Sequence, residues 1–124
     1  MSVTVTPSCF RYIGEHMSGQ KQGQGFCTYP DESVHKGSYQ RGVKSGFGTC
    51  TWANGNVFSG AYENDRMHGS GMFKWASGHV YNGEFANDRR HGQGVLIYAD
   101  GKRQDGLWHN GNFVAESSPK QRFA

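Results

Sequence analysis

The sequence lacks the material for a thick hydrophobic core. Only 35% of its 124 residues are hydrophobic. Its longest apolar run, Val95 to Ala99, falls far short of the ~20 residues that a membrane helix needs. The first ten residues have neither a basic start nor an apolar stretch, so we expect no secretory signal peptide. This composition predicts one small domain, built as a thin layer with much exposed surface.

Cysteine is scarce. The three cysteines, Cys9, Cys27 and Cys50, are odd in number and form no Cys-x-x-Cys motif. If Cys27 and Cys50 lie two strands apart in a sheet, their Cα atoms are ~9.5 Å apart, beyond the ~7 Å limit for a disulfide. We therefore expect reduced cysteines and a cytoplasmic protein.

An excess of charge of either sign is also missing. Thirteen Lys and Arg against ten Asp and Glu give a net charge of +3, and basic residues are scattered among acidic ones. Nucleic-acid binders usually concentrate basic residues into a stripe, so we expect no nucleic-acid partner. The nearest approach to a basic cluster is Arg89 and Arg90 with Lys102 and Arg103, which are the candidate lipid-binding residues.

The sequence does contain a repeat of constant length. The spacing from Gly14 to Gly37 recurs along the chain without an insertion or deletion. The chain has 19 glycines against three prolines, and the glycines recur in phase rather than in a low-complexity tract. A fixed period of this length is typical of an array in which one supersecondary unit stacks on copies of itself. The columns are Gly23-Gln24-Gly25, Gly46-Phe47-Gly48, Gly69-Ser70-Gly71 and Gly92-Gln93-Gly94; Gly14, Gly37, Gly60, Gly83 and Gly106; Tyr29, Trp52, Trp75 and Tyr98; and His16, Tyr39, Tyr62, Phe85 and Trp108.

Each repeat predicts a β-hairpin. In the copy from Val80 to Gly101, the segments Val80 to Phe85 and Val95 to Tyr98 have strand composition, and Gly and Asx residues interrupt the chain between and after them. The expected register places its residue pairs on one side of the sheet, where each large side chain meets a glycine. Its pairs are Tyr81 with Tyr98, Gly83 with Leu96, and Phe85 with Gly94.

The links between copies predict a particular loop. Ala53-Asn54-Gly55, Ala76-Ser77-Gly78 and Ala99-Asp100-Gly101 fit a three-residue loop that ends in a left-handed glycine. A two-residue loop would shift the register by one residue and turn every side chain to the other face. The first copy has Pro30-Asp31-Glu32 at this place, without the glycine, so we expect an irregular turn there.

Pattern and period together resemble the MORN (membrane occupation and recognition nexus) repeat family. Its repeat runs roughly Tyr-x-Gly-x-aromatic, then His-Gly-x-Gly, then an aromatic residue followed by Asp-Gly. The fourth copy follows this pattern with Tyr81, Gly83, Glu84, Phe85, His91, Gly92, Gly94, Tyr98, Asp100 and Gly101. The first two copies depart from it, with Gln22 and Ser45 in the His position and His35 in the first aromatic position.

The resemblance implies an all-β fold, an elongated and twisted antiparallel meander of hairpin repeats in a single sheet, with no helices of note. We divide the chain into an N-terminal cap strand (1–11), an array of four full repeats and a half repeat (12–113), and a polar, flexible C-terminal tail (114–124). Family members are scaffolds, membrane-proximal tethers, cytoskeletal or ciliary components, or accessory segments of larger enzymes.

The candidate partner-binding site is the aromatic face of this sheet. A single layer has nothing packed on it, and exposed aromatic surface often marks an interaction site. Phe85 and Trp108, toward the end of the array, should be more exposed than Trp52. The candidate residues are Tyr12, Tyr39, Trp52, Phe58, Tyr62, Trp75, Tyr81, Phe85, Tyr98 and Trp108.

No residue pattern indicates catalysis, a cofactor or a metal. His68 and His91 are equivalent positions in hairpin loops, and no second His or Cys stands at ligand spacing. The Gly-x-Gly columns lack the following residues of a dinucleotide or P-loop motif. We expect no enzyme, no cofactor and no metal site.

Three functions fit these observations. The leading hypothesis is a non-catalytic adaptor or scaffold that binds a peptide or helix of a protein partner, along the aromatic face or a sheet edge. One alternative is a membrane tether that recognises anionic lipid such as phosphoinositide. Another is a non-catalytic subunit of an enzyme complex. We expect a cytoplasmic protein, a monomer or an edge-paired dimer, for which association with the cytoskeleton, a cilium or flagellum, or a membrane stays open.

Overall fold

The computed structural model describes residues 9–116 and confirms the all-β fold. Ten antiparallel strands form one open sheet in which each strand pairs with its neighbours in sequence. Within residues 9–116 there is no helix long and apolar enough to cross a membrane. The strands are β1 (Arg11–Met17), β2 (Gln20–Thr28), β3 (Val34–Gln40), β4 (Val43–Thr51), β5 (Val57–Glu63), β6 (Arg66–Lys74), β7 (Val80–Ala86), β8 (Arg89–Ile97), β9 (Arg103–His109) and β10 (Asn112–Glu116).

Two-residue turns close the hairpin within each repeat. Both central residues have positive φ, for example 50° at Asn64 and 69° at Asp65, which is the type I′ geometry that suits the twist of a sheet. These turns also bond to the preceding hairpin. The amide of Asp65 donates to the carbonyl of Lys44 (3.0 Å), and its Oδ1 accepts from the Lys44 amide (2.8 Å). Each repeat is therefore tied to the one before it.

Three-residue loops join the repeats, as predicted. Gly55 has φ 97°, its amide donates to the Trp52 carbonyl (3.0 Å), and the Trp52 amide donates to the Asn56 carbonyl (2.9 Å). The expectation of an irregular first turn is wrong. Glu32 adopts the left-handed conformation (φ 72°) in the place of the glycine, and its amide donates to the Tyr29 carbonyl at 2.9 Å.

The predicted register is wrong by two residues, although the side chains keep the predicted face. Tyr81 lies opposite Leu96 rather than Tyr98, and Gly83 lies opposite Gly94. The pairing shifts after Gly83, because β8 carries a bulge that β7 does not. The strands also extend further than the composition indicated, since β8 begins at Arg89.

The two glycines of each Gly-x-Gly column have different roles. The first, such as Gly92 (φ 97°), forms the bulge, and the Glu84 Oε1 accepts a hydrogen bond from the next amide, that of Gln93, at 2.7 Å. The second, such as Gly94, lies beneath the Tyr81 ring and against the Gly83 backbone, where a Cβ has no room. The lack of a side chain at these glycines thus lets rings lie directly on the sheet.

A continuous ladder of rings forms the core on this face. Neighbouring rings meet edge to face with centroids 4.8–5.5 Å apart, which is a favourable geometry for aromatic pairs. Contacts within a strand alternate with contacts between hairpins, so the ladder links every repeat. Its members in spatial order are Tyr12, Tyr39, His35, Tyr62, Phe58, Phe85, Tyr81, Trp108 and Phe113.

The expectation of three reduced cysteines is wrong. Cys9 and Cys27 form a disulfide with Cα atoms 5.6 Å apart, whereas Cys50 is free and buried. The distance argument considered only Cys27 and Cys50, and it overlooked that the chain before β1 runs alongside β2. Most of the expected cap strand (1–11) and tail (114–124) lies outside the described residues, and β10 continues through Glu116.

Candidate functional site

The predicted aromatic residues share one face of the sheet, but most of them are buried in the ring ladder. Phe58 and Tyr81 are fully buried, and Tyr39, Tyr62, Phe85 and Trp108 are nearly so. Tyr12, at the first strand, is half-buried. The expectation that chain-end rings are the more exposed is wrong, because Phe85 and Trp108 keep only 5% and 4% of their surface exposed. Phe113 of β10 and the Arg90 guanidinium cover Trp108.

Half-buried rings stand at the ends of the even-numbered strands. Trp52, Trp75 and Tyr98 follow β4, β6 and β8 and belong to one repeat column with Tyr29. Trp52 and Trp75 contact Phe73 from either side, with centroids 5.4 and 4.6 Å from its ring. Part of each ring therefore rests on the core while the remainder is exposed.

A column of long side chains lies over the same face. Lys21, Lys44, Met67 and Arg90 occupy the same position of successive repeats, at the start of the even-numbered strands. The Lys44 Nζ lies 5.4 and 5.7 Å from the ring centroids of Tyr29 and Tyr62. The Arg90 guanidinium lies 4.8 Å from the ring centroid of Trp108. These distances are typical of cation–π contacts.

The half-buried rings and the long side chains enclose a groove of about 790 Å³ over the first half of the array. Its aromatic walls are Tyr29, Tyr39, Trp52 and Tyr62. Met67 and Asp88 line this groove and also a second one, of about 320 Å³, which Trp75, Phe85 and Arg90 complete. The two grooves therefore adjoin along the aromatic face, and both volumes lie in the range of ligand pockets.

The polar groups of the first groove include acids as well as bases. Lys21, Lys44 and Arg66 line it together with Asp31, Asp65 and Asp88, so its formal charge is balanced. The carboxylates are already engaged. For example, Asp88 Oδ1 accepts a hydrogen bond from the Met67 amide at 2.9 Å.

Buried phenols, one buried imidazole and one buried thiol line or underlie this groove. Burial raises the pKa of Tyr39 and Tyr62 above the ordinary value, so both hydroxyls stay protonated at neutral pH. Burial, with the nearby charge of Lys44, lowers the pKa of His35 to about 4. Cys50 lies opposite His35, but burial raises the pKa of its thiol. Both members of this pair are therefore neutral at pH 7, and the thiol is not activated as a nucleophile.

The four candidate lipid-binding residues do not form one cluster. Arg89 and Arg90 lie at the start of β8, whereas Lys102 and Arg103 lie beyond its end. The length of β8 separates the two pairs, which is ~30 Å. Arg90 is also engaged, because its Nη2 donates to the Gly111 carbonyl at 2.8 Å.

Two histidines predicted to lie in loops are in strands, His68 in β6 and His91 in β8. The His91 ring contacts the His109 ring, with centroids 4.9 Å apart and planes tilted by 47°, and its Nδ1 accepts a hydrogen bond from the Asn110 amide at 3.3 Å. Among the described residues there is no group of three or more His, Cys, Asp or Glu side chains able to hold a metal ion.

Five groove residues were not predicted from the sequence: Tyr29, Phe73, Lys21, Lys44 and Met67. Tyr29 belongs to the same repeat column as Trp52, which is the signal that identifies it. The long side chains also recur once in every repeat, but they differ in chemical type. Their column is therefore not visible as a repeated residue type in the sequence.

The hairpin array, the glycine columns and the ring ladder define a β-hairpin repeat protein with a long open groove on its aromatic face. The chain belongs to the MORN repeat family. The family model for the MORN repeat matches residues 12–34, 35–57, 58–80 and 81–103, four consecutive repeats that cover most of the chain. A search of curated proteins finds no significant match.

Proposed function

We propose that this MORN-repeat chain is a non-catalytic adaptor that binds an extended or helical segment of a protein partner along the groove of its aromatic face. The family is generally non-catalytic and consists of repeat proteins often involved in binding. The observation that carries the proposal is the groove of about 790 Å³ beside half-buried Tyr29 and Trp52. Partly exposed aromatic rings supply large contact areas at low entropic cost, which is why they dominate binding hot spots.

The long side chains of the groove support a peptide rather than a small ligand. Lys21 and Lys44 lie one repeat apart, which is two strand spacings or ~9.5 Å. An extended peptide advances ~3.3 Å per residue, so every third side chain of a peptide that crosses the strands meets an equivalent position. A repeating surface thus recognises a repeating pattern, and several weak contacts add up along one segment.

The test is a selection of peptides from a display library on the whole protein, followed by affinity measurement with two variants. Trp52→Ala removes a half-buried ring of the groove, and we expect a loss of ~2 kcal/mol, or about thirtyfold in Kd. Phe47→Ala is the control, since Phe47 is exposed and lies in the same strand, β4, on the opposite face. It should change Kd less than about twofold.

Two results contradict the proposal. If the selected peptides bind Trp52→Ala as well as the wild type and fail on Phe47→Ala, the binding face is the other one. If no peptide is selected and the protein sediments with anionic but not neutral vesicles, the membrane tether is the better hypothesis. Reversal of Arg89 and Arg90 should then abolish sedimentation. An enzyme-complex subunit differs from the adaptor only in the protein to which the bound segment belongs.

A further inference from the structure

Within residues 9–116, the first strand of the sheet has an open edge. There β1 pairs only with β2, whereas its equivalent one repeat later, β3, pairs with strands on both sides. The side of β1 that has no neighbour among the described residues is the side that β3 uses to bond with β2. An edge of seven residues with unpaired backbone groups is a template for another strand.

The exposed apolar residues concentrate at this end of the molecule. Phe10, Ile13 and Met17 are 77%, 64% and 64% exposed, although their side chains are large and apolar. Phe26 of β2 lies directly opposite Ile13 and is also exposed. Natural sheets usually protect a long edge with charge or a bulge. The bulge of this hairpin is on β2 and leaves β1 regular, and β1 carries one charge of each sign, Arg11 and Glu15. The edge is therefore open to a strand of complementary charge.

The other end of the array does not supply a strand that continues the pattern. Between two repeats, the even-numbered strand of the first pairs with the odd-numbered strand of the second. The even-numbered strand contributes its Gly-x-Gly and the residues that follow, and Gly25, for example, pairs with Gly37. The equivalent residues at the end of the chain are Ala115-Glu116-Ser117, and Pro119 stands at the position of Cys27. Loss of both glycines and of one backbone donor disfavours head-to-tail stacking.

A second β1 is the strand that fits this edge by charge. When two copies of β1 run antiparallel about Ile13, each Arg11 lies opposite the Glu15 of the other copy, and the two Ile13 side chains meet. Tyr12 then lies opposite Gly14, which has no side chain to obstruct the ring. Centring the pair on Gly14 instead places Ile13 opposite Glu15. Opposite charges directly across a strand pair stabilise it, and like charges destabilise it.

We propose that two copies of this chain associate through their β1 edges, antiparallel about Ile13, into a closed two-fold dimer with one continuous sheet. Because residues that face each other across the pair lie on the same side, both aromatic grooves open on one face. A symmetric pair of this kind is closed, so it forms a dimer rather than a fibre. The dimer presents two grooves to one partner, which raises avidity without a new contact.

The test uses charge reversal in single variants and in their mixture, with molar mass measured by sedimentation equilibrium on the full chain. The wild type should dimerise at roughly 100 µM or below, as expected for a small interface. Arg11→Glu places two pairs of like charges across the interface, and Glu15→Lys does the same with the opposite sign. Each should raise the dimer Kd about tenfold or more, whereas an equimolar mixture should form heterodimers with both pairs restored.

The repeats provide matched controls. Glu84 is the interior equivalent of Glu15, and both accept the amide proton of a bulge residue, Gln93 or Gln24, with Oε1. Arg103 stands at the position of Arg11 four repeats later and is also exposed. Glu84→Lys and Arg103→Glu should therefore leave dimerisation unchanged, even if Glu84→Lys costs stability. Circular dichroism shows whether each variant folds.

Three results overturn the proposal. They are a wild type that stays monomeric at roughly 100 µM, where even a small interface should pair; single variants that dimerise like the wild type; and a mixture that stays monomeric. Deletion of residues 1–8 distinguishes one further case. If only the deleted protein dimerises, the chain's own first residues cover the edge and the full chain is not a β1 dimer.

Discussion

Replacing His35 by phenylalanine should stabilise the fold at neutral pH and remove part of its sensitivity to acid. His35 occupies the first aromatic column of the repeat, in which the other copies carry Tyr12, Phe58 and Tyr81. Its ring is fully buried, and neither ring nitrogen has a hydrogen-bond partner within residues 9–116. By contrast, the hydroxyls of Tyr12 and Tyr81 donate to the carbonyls of Glu15 (2.7 Å) and Glu84 (2.9 Å).

The magnitude at neutral pH follows from the unpaired donor. A neutral imidazole carries one N–H, and leaving a buried donor without a partner costs ~1–3 kcal/mol. Phenylalanine has no such group, and the Phe58 ring already occupies the same place over Gly71 that the His35 ring occupies over Gly48. Cys50 beside His35 is smaller than Phe73 beside Phe58, so the larger ring has room. We expect His35→Phe to stabilise by ~1–2 kcal/mol.

The pH dependence has a definite sign. The ordinary pKa of histidine is 6.5, and burial lowers the pKa of His35 in the folded protein to about 4. Between these values the unfolded chain binds a proton that the folded chain does not, so the free energy of unfolding falls as pH falls. The loss begins near pH 6.5, reaches ~2 kcal/mol at pH 5, and stops growing below about pH 4.

Urea unfolding at pH 7.5, 6 and 5, followed by tryptophan fluorescence, measures both effects. The difference in stability between His35→Phe and the wild type should grow as pH falls. His16→Gln is the control, because His16 is an exposed histidine outside the buried column. A His35→Phe protein that is less stable at pH 7.5, with a pH slope equal to that of the wild type, refutes the reasoning.

Three further substitutions probe the backbone of the array. Gly60→Ala should destabilise by about 3 kcal/mol in urea unfolding, because its Cβ would lie 2.5 Å from the Cα of Gly71. The control Ser59→Ala, on the other face, should cost about 1 kcal/mol or less. Equal costs for the two variants would contradict the close contact between Gly60 and Gly71. Glu32→Gly should stabilise by ~0.5–1 kcal/mol in the same assay, since Glu32 has φ 72° where other repeats have glycine; a loss of stability contradicts strain at this turn. Cys9→Ser should lower the free energy of unfolding by about 3 kcal/mol, because the disulfide closes a loop with a sequence separation of 18. Reductant should destabilise the wild type but not this variant. A wild type whose stability does not change with reductant would contradict the cross-link.

The constant repeat length and the alternation of side chains between the two faces of a strand were sufficient to predict the hairpin array and the face of each ring. A repeat of constant length without insertion keeps every column in phase, and the three-residue loop with Gly55 preserves the side on which Trp52 lies. The register could not be predicted, because it depends on a bulge at Gly92 whose positive φ is a property of the strand pair. Composition indicates only that glycine is present, and not which of two glycines bends the strand.

Which aromatic residues form the core and which line the groove could not be predicted from the sequence, for a different reason. Burial of a ring is set by what its neighbouring strands place around it, and Trp108 is covered by Arg90 and Phe113 from two different strands. Trp52 and Trp75, which the sequence pattern does not distinguish from the buried aromatic residues, lie at strand ends, where fewer side chains cover them. The disulfide was missed likewise, since the path of the chain before β1 follows no repeat.

If the chain binds a partner as proposed, this division predicts where specificity resides. The interior positions of the ladder are constrained by a ring on either side, so a change there costs stability before it alters recognition. The column of long side chains has no such constraint, and it already differs along the chain: Lys21 and Lys44, then Met67, then Arg90. The first groove therefore offers ammonium groups beside tyrosines, and the second a guanidinium between tryptophans. Because the two ends of the groove differ in chemistry, we expect a bound segment to have one preferred direction. Exchanging Lys44 with Arg90 should change which segments bind without changing the fold.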